Sequence, residues 1–184
     1  MMAEVGKIVN GGGKIYPHNG IWPQIDETAF IAPGARIIGD VEIGPESSIW
    51  FNCVLRGDVN KIRIGARTNL QDGTVVHVES GGAATLIGDE VLVGHMALIH
   101  GTVIENGGFV GMGAMTMDNC YIESGGMLAA GALLSPGKRI GKGEMWLGRP
   151  AKYVRTLTEE AIKDLRAGTD HYAALAQDYL GEYR

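Results

Sequence analysis

Residues 87–101 read Ile87-Gly88-Asp89-Glu90-Val91-Leu92-Val93-Gly94-His95-Met96-Ala97-Leu98-Ile99-His100-Gly101. A branched aliphatic residue stands at 87, 93 and 99, and a small or β-branched residue comes four places later, at Val91 and Ala97. The same beat of six runs outward in both directions. Towards the N-terminus, across a five-residue excess, it picks up Ile64, Leu70 and Val76, and across a three-residue excess it continues through Ile25, Ile31, Ile37, Ile43, Ile49 and Leu55. Towards the C-terminus, after one five-residue turn, it passes Ile104, Val110, Thr116, Ile122, Leu128, Leu134, Ile140 and, with a poorer fit, Trp146. An amphipathic helix would repeat every 3.6 residues and a half-buried hairpin strand every two. A period of six fits short strands separated by tight turns, the signature of a parallel β-helix. An all-β solenoid is therefore predicted, with the aliphatic and small positions facing inward and stacked coil upon coil.

Taken as a whole, the pattern aliphatic-Gly-x-x-small-x over residues 25 to about 151 resembles the hexapeptide-repeat left-handed β-helix, which implies three hexads to each triangular coil. Residues 1–154 are assigned to this domain, with 1–24 as an extended lead-in over one end. Residues 155–184 change character. Leu157, Ile162, Leu165, Tyr172, Leu175 and Tyr179 recur at helical spacing, Thr156 and Glu159 form a Thr-x-x-Glu capping box, and Gly168 is expected to break or kink the segment, with a restart at Thr169 or Asp170. A C-terminal α-helix packed along the prism is predicted.

The chain has 184 residues, a net charge of -5 and no basic stripe, which argues against nucleic acid or an anionic membrane as partner. No apolar run approaches the ~20 residues that span a bilayer. Residues 1–10 lack the apolar centre of a signal peptide. Cys53 and Cys120 are far apart and both fall on the small inward position of a hexad, so they read as buried thiols of a cytoplasmic protein.

Three of the five histidines lie between Asn69 and Gly101. Neutral imidazole is the usual ligand of borderline cations such as zinc. The hexad count arranges these side chains in columns. Arg56, His77 and His100 occupy the second position on one face of the prism, here face B. Asp72 and His95 occupy the third position on the preceding face, A, with Gln71 beside Asp72. Neighbouring coils are ~4.8 Å apart, so His77 and His100 can share a metal. His95 lies around a corner and should not converge with them in one chain. It could do so if face B of one subunit met face A of the next, and that head-to-tail contact closes into a ring suited to three subunits. A homotrimer with metals at its seams is predicted, with Arg56 and Asp72 placed to pair across the seam.

Arg56-Gly57-Asp58, Asn69-Leu70-Gln71-Asp72-Gly73, His77, Val93-Gly94-His95 and His100-Gly101 resemble the γ-class carbonic anhydrase family, and the similarity extends through Leu147-Gly148-Arg149-Pro150-Ala151 and the C-terminal helix. The resemblance implies a homotrimer with His77, His95 and His100 as ligands of Zn2+, with Fe2+ or Co2+ as alternatives. It implies reversible hydration of carbon dioxide to bicarbonate by a metal-bound hydroxide, oriented by Gln71. Arg56, Asp58 and Asp72 correspond to polar residues of the seam and substrate site. The family's prototype has a glutamate after the position of Asp58 and a longer acidic loop after the first histidine, and these shuttle protons. Here Val59 stands at the first position and the short loop offers Glu79, which reads equally as a solvated loop charge. Tyr172 reads first as helix packing and second as a catalytic residue reaching the site. His18 and His171 match no column. Two other readings stay open: a weakly active or inactive metal-stabilised structural trimer, and a hexapeptide-repeat acyltransferase.

Overall fold

A computed structural model describes residues 6–183; the first five residues of the lead-in, and Arg184 at the end of the helical segment, lie outside the described residues. Most strands are only two or three residues long. None could persist alone, and each is held by in-register parallel pairing with the coil before and after it. On face A the inward ladder runs Ile31, Ile49, Leu70, Val93, Val110, Leu128. On face B it runs Ile15, Ile37, Leu55, Val76, Ile99, Thr116, Leu134. On face C it runs Ile25, Ile43, Ile64, Ile87, Ile104, Ile122, Ile140. Apart from Ile25, which is partly buried, these side chains are buried. Burying one such aliphatic side chain is worth about 1.5–3 kcal/mol. The result is a left-handed parallel β-helix of about seven turns.

Besides the loop after His77 and the shortened turn after Ile99, the prism departs from strict regularity in two places. The strands Arg36–Ile43 and Val54–Ile64 run unbroken around the corner from face B to face C. Their register shifts between Gly39–Val41 and Gly57–Ile62, so the three-residue excess bulges outward at residues 58–61. The second place is the lead-in. Lys7–Ile8 pairs antiparallel with Lys14–Tyr16, and the latter is already a parallel rung against Arg36–Ile38. The prism thus starts one rung before Ile25, the first hexad legible in the sequence. That rung is hidden because the link between Ile15 and Ile25 carries a tight His18–Ile21 bridge in place of a hexad.

The last coil ends in an antiparallel pair, Glu144–Gly148 with Ala151–Thr156. This pair moves the start of the helix. Thr156 is still in the strand, opposite Glu144, and the Leu157 amide donates to the Gly143 carbonyl at 2.8 Å. The helix α1 spans Glu159–Glu182 with Thr158 as N-cap, its hydroxyl accepting from the Ala161 amide at 3.2 Å. The capping box at Thr156 and Glu159 therefore does not form. Nor does Gly168 interrupt the helix. It faces the prism, and a Cβ there would lie 3.3 Å from Leu92 Cδ1. Thr169 and Asp170 do not restart a helix; the Thr169 hydroxyl donates to the Leu165 carbonyl and Asp170 pairs with Arg67.

The helix lies along face A, across the strands Phe30–Ile31, Ser48–Ile49, Asn69–Leu70 and Leu92–Val93. Ala173, Ala176 and Leu180 are buried against an aromatic cluster in which Trp50 stands edge-on to Phe30, Tyr172 and Tyr179.

Cys53 and Cys120 are unpaired and buried on the inner wall. Burial pushes the Cys53 thiol up from its ordinary value near 9 to about 12, and Cys120 shifts the same way for the same reason. Both should resist a disulfide reagent at pH 8 in the native protein and react fully in denaturant. Because the fold favours the neutral Cys53 thiol, its contribution is intact below pH 9 and is lost as pH rises towards 12. Urea unfolding across that range should show stability falling with pH, and by less in Cys53→Ala.

Candidate metal centre

The outward face of the B column carries the chemistry. Leu55 pairs with Val76, Val76 with Ile99 and His77 with His100, so Arg56, His77 and His100 stand on successive coils. The histidine ring centroids are 5.1 Å apart. After each histidine the chain turns the corner to face C, and a buried threonine fixes that turn. Thr85 donates its hydroxyl to the His77 carbonyl at 2.7 Å, and Thr102 does the same to the His100 carbonyl at 2.8 Å.

The rings face each other through His77 Nδ1 and His100 Nε2, 3.1 Å apart. Each far nitrogen meets a carboxylate: His77 Nε2 lies 3.0 Å from Asp58 Oδ1, and His100 Nδ1 lies 2.5 Å from Asp118 Oδ1. This assigns the tautomers. The ring protons belong on the far nitrogens, donating to the carboxylates, and the inner nitrogens present lone pairs to each other. Two lone pairs at that distance repel unless a proton or a cation lies between them. Two nitrogens bound tetrahedrally to zinc at ~2.0–2.1 Å would be about 3.3 Å apart, so the pair fits two corners of a metal site.

Asp58 sits on the bulge at residues 58–61, which carries it out to His77. It also pairs with Arg56. Burial works to raise its pKa, but hydrogen bonds from Arg56 and His77 and the Arg56 charge outweigh that effect and hold the carboxyl down at about 2. It is therefore a carboxylate at neutral pH and well below it.

His95 lies past the corner, on the side of face A. Its Nδ1 meets Asp72 Oδ2 at 2.8 Å, and the pair is about two-fifths exposed. Its backbone amide donates to Gln71 Oε1 at 3.2 Å, while Gln71 Nε2 donates to Asn69 Oδ1 at 3.4 Å. Gln71 and Asn69 are buried, and Asn69 Nδ2 has no partner among the described residues. No group of three acidic, histidine or cysteine side chains that could hold a metal gathers within one chain among the described residues.

The other site residues expected from the sequence are placed around this centre or away from it. Arg56 pairs with Asp58 and Asp72 with His95, both within the chain. Glu79 is exposed, at the head of the loop between Val75–His77 and Thr85–Ile87; Asn60 Nδ2 fastens that loop by donating to the Gly82 carbonyl at 3.0 Å. Tyr172 stands edge-on to Trp50 at 5.5 Å in the helix-docking cluster. Burial first and the Asp72 charge second raise its phenol above the ordinary value, so it stays protonated.

Two site residues escape sequence reasoning. Asn69 reads there only as part of a motif, although it steadies Gln71. Asp118 belongs to no motif at all. The only signal for it is that it lies eighteen residues, one nominal coil, beyond His100. The shortened turn after Ile99 brings Thr116 opposite Ile99 instead, so a strict column count puts Met117 next to His100 and Asp118 beyond it.

Gln71→Ala should expose how the site is braced. It removes the acceptor of the part-buried His95 amide and leaves the buried Asn69 Oδ1 without its donor, and a buried unsatisfied group costs ~1–3 kcal/mol. Urea unfolding of metal-free protein should show a loss of that size.

No family model matches the chain. Gamma carbonic anhydrase 2, mitochondrial, of Arabidopsis thaliana is 48% identical over 165 residues, covering 87% of this chain and 59% of the relative. The chain thus spans about three-fifths of that relative's length. A carbonic anhydrase of Geobacillus kaustophilus is 43% identical over 165 residues, covering 90% of each chain. Among solved structures, a hexapeptide transferase family protein from Anaplasma phagocytophilum superposes with a TM-score of 0.86 at 50% identity, covering 90% of this chain and 97% of that one.

Proposed function

Because the chain belongs to the gamma carbonic anhydrase family, we propose that it hydrates carbon dioxide reversibly to bicarbonate at a divalent-cation site between subunits of a homotrimer. The observation that carries this reading is the pair of facing imidazole nitrogens, 3.1 Å apart and each backed by a carboxylate. His77 and His100 would hold the cation from one subunit and His95 from its neighbour. Zn2+, Fe2+ and Co2+ all suit three imidazoles.

The surface around the histidines supports the trimer. Met96 is 70% exposed, Met112 61% and Val75 38%. Met96 and Met112 flank His95 along the corner, and Val75 precedes His77 by two residues. Exposed apolar side chains grouped around half-buried charged ones are the composition of a surface that meets another copy. The acyltransferase reading, echoed in the name of the Anaplasma structure, would use one histidine as a lone base. It gives no reason for two imidazole lone pairs to be aimed at each other.

A bound cation would supply Lewis acidity, lowering the pKa of a water towards ~7 so that a nucleophile exists at neutral pH. The chain's own residues do the rest. Gln71, pinned by the His95 amide and by Asn69, keeps one orientation and can orient the attacking oxygen by a hydrogen bond. The apolar rim gives carbon dioxide a dry approach. Arg56 presents a cation to the departing bicarbonate while keeping Asp58 ionised. Glu79, at the exposed loop, passes the proton to solvent. Tyr172, held neutral, can give or accept a hydrogen bond but offers no phenolate base. The cytoplasm is the compartment we assign, supported by two unpaired, buried thiols. No helix among the described residues is long and apolar enough to cross a membrane.

Light scattering should give the mass of a trimer, and elemental analysis about one cation per chain. His77→Ala should lose most of the cation, since two imidazoles and water bind far less well. Stopped-flow measurement on fully loaded protein should show carbon dioxide hydration. If a fully loaded trimer shows none in any buffer, the structural-trimer reading replaces this one.

Glu79→Gln tests the proton route. A transferring carboxylate contributes ~10²-fold or more when its step limits turnover. In dilute buffer the variant should therefore lose kcat while kcat/KM stays nearly unchanged, and concentrated imidazole should restore part of the loss. Equal turnover of parent and variant in dilute buffer would leave Glu79 as a loop charge.

A further inference from the structure

We propose that Asp118 is the positioning residue of the cation site: its carboxylate accepts a hydrogen bond from the Nδ1–H of His100, fixes the tautomer with a lone pair on Nε2, and aims that nitrogen at His77. This rests on the proposed cation site and names a residue outside the histidine, glutamine and seam set.

Four observations support it. Asp118 Oδ1 lies 2.5 Å from His100 Nδ1, within hydrogen-bond reach, so a carboxylate faces the outer ring nitrogen directly. The backbone around Asp118 is clamped, with the Asn119 amide donating to the Gly101 carbonyl at 2.8 Å and the Gly137 amide donating to the Asp118 carbonyl at 2.9 Å. Gly101 makes the room: it has φ +51°, and a Cβ there would lie 2.5 Å from Asp118 Oδ1, so any side chain at 101 would push the carboxylate off the imidazole. The fourth observation is a comparison of the three histidine–carboxylate pairs. Asp58 shares its charge between His77 and Arg56. Asp72 and His95 are the most exposed pair. Asp118 and His100 are each 26% exposed, and His100 is the ion-pair partner of Asp118 among the described residues. The Asp58–His77 pair is less exposed, at 17% and 18%, but its charge is divided; Asp118 gives its imidazole an undivided negative charge, less screened by water than that of Asp72. Outer carboxylates of this kind typically contribute ~10–100-fold to metal affinity.

The test uses the full chain, stripped of metal and titrated with Co2+, whose visible absorption reports the coordinating nitrogens. Asp118→Ala should bind Co2+ ~10–100-fold more weakly than the parent. Asp118→Asn keeps an oxygen that can accept the Nδ1 proton but loses the charge, so it should fall between them. Gly101→Ala should resemble Asp118→Ala although it removes no polar group. Nitrogen-15 NMR of the metal-free imidazoles should show His100 protonated on Nδ1 in the parent and in Asp118→Asn, and a mixture of tautomers in Asp118→Ala. Thermal melts of the metal-free variants check that each is folded. If the parent binds Co2+ and Asp118→Ala binds it equally well, this inference falls and the site reading stands. If the parent binds no Co2+, both fall. An unchanged His100 tautomer in folded Asp118→Ala overturns the positioning role whatever the affinity.

Discussion

The ladder spacing between neighbouring coils, ~4.8 Å, is the constraint on which the rest of this structure depends. It comes from backbone hydrogen bonds, yet it dictates side-chain chemistry. Residues at one hexad position on successive coils are forced into a column whose members stand a strand spacing apart. Two imidazoles in such a column are held at the separation that lets them share a small cation. The inner side of the same ladder stacks aliphatic side chains three to a layer, which leaves the outer face free to carry charge without weakening the core.

Parallel pairing explains why the sequence is so legible along the faces and so opaque at the corners. The hexad count places His77 opposite His100 and puts both cysteines inside, because strand positions obey one rule repeated many times. Corners obey local rules. The Asp118 carboxylate reaches His100 through a shortened turn at a left-handed glycine, and no periodicity announces that. The start of the helix is obscured for a similar reason. Thr156 and Glu159 have the chemistry of a capping box, but the strand Ala151–Thr156 claims Thr156 first, and Thr158 caps instead. Gly168 reads as a break when judged on helix propensity alone. Its role is to let the helix backbone approach Leu92, which is a tertiary reason absent from local sequence.

The bulge at residues 58–61 shows how a departure from the repeat serves the site. A regular hexad would keep residue 58 in the plane of the wall. The three-residue excess instead lifts Asp58 outward to His77, with Arg56 holding it ionised. The second excess, at the loop headed by Glu79, likewise leaves an acidic residue in solvent beyond His77. Both interruptions of the period fall beside the histidine column, where strict regularity would offer only one functional side chain per coil.

The two ends of the prism also bear on how copies of this protein can associate. A parallel coil left open would present a row of unpaired amides and carbonyls in the direction of stacking, and a second prism could add to it end on. Here the first rung is flanked on its outer side by Lys7–Ile8, running the opposite way, and the last by Ala151–Thr156, also reversed. An antiparallel edge offers the wrong hydrogen-bond pattern to an incoming parallel coil. End-on addition at these two strands is thereby disfavoured, and the exposed Met96, Met112 and Val75 leave the flanks as surfaces where copies of a protein built from one motif repeated about seven times can meet side by side.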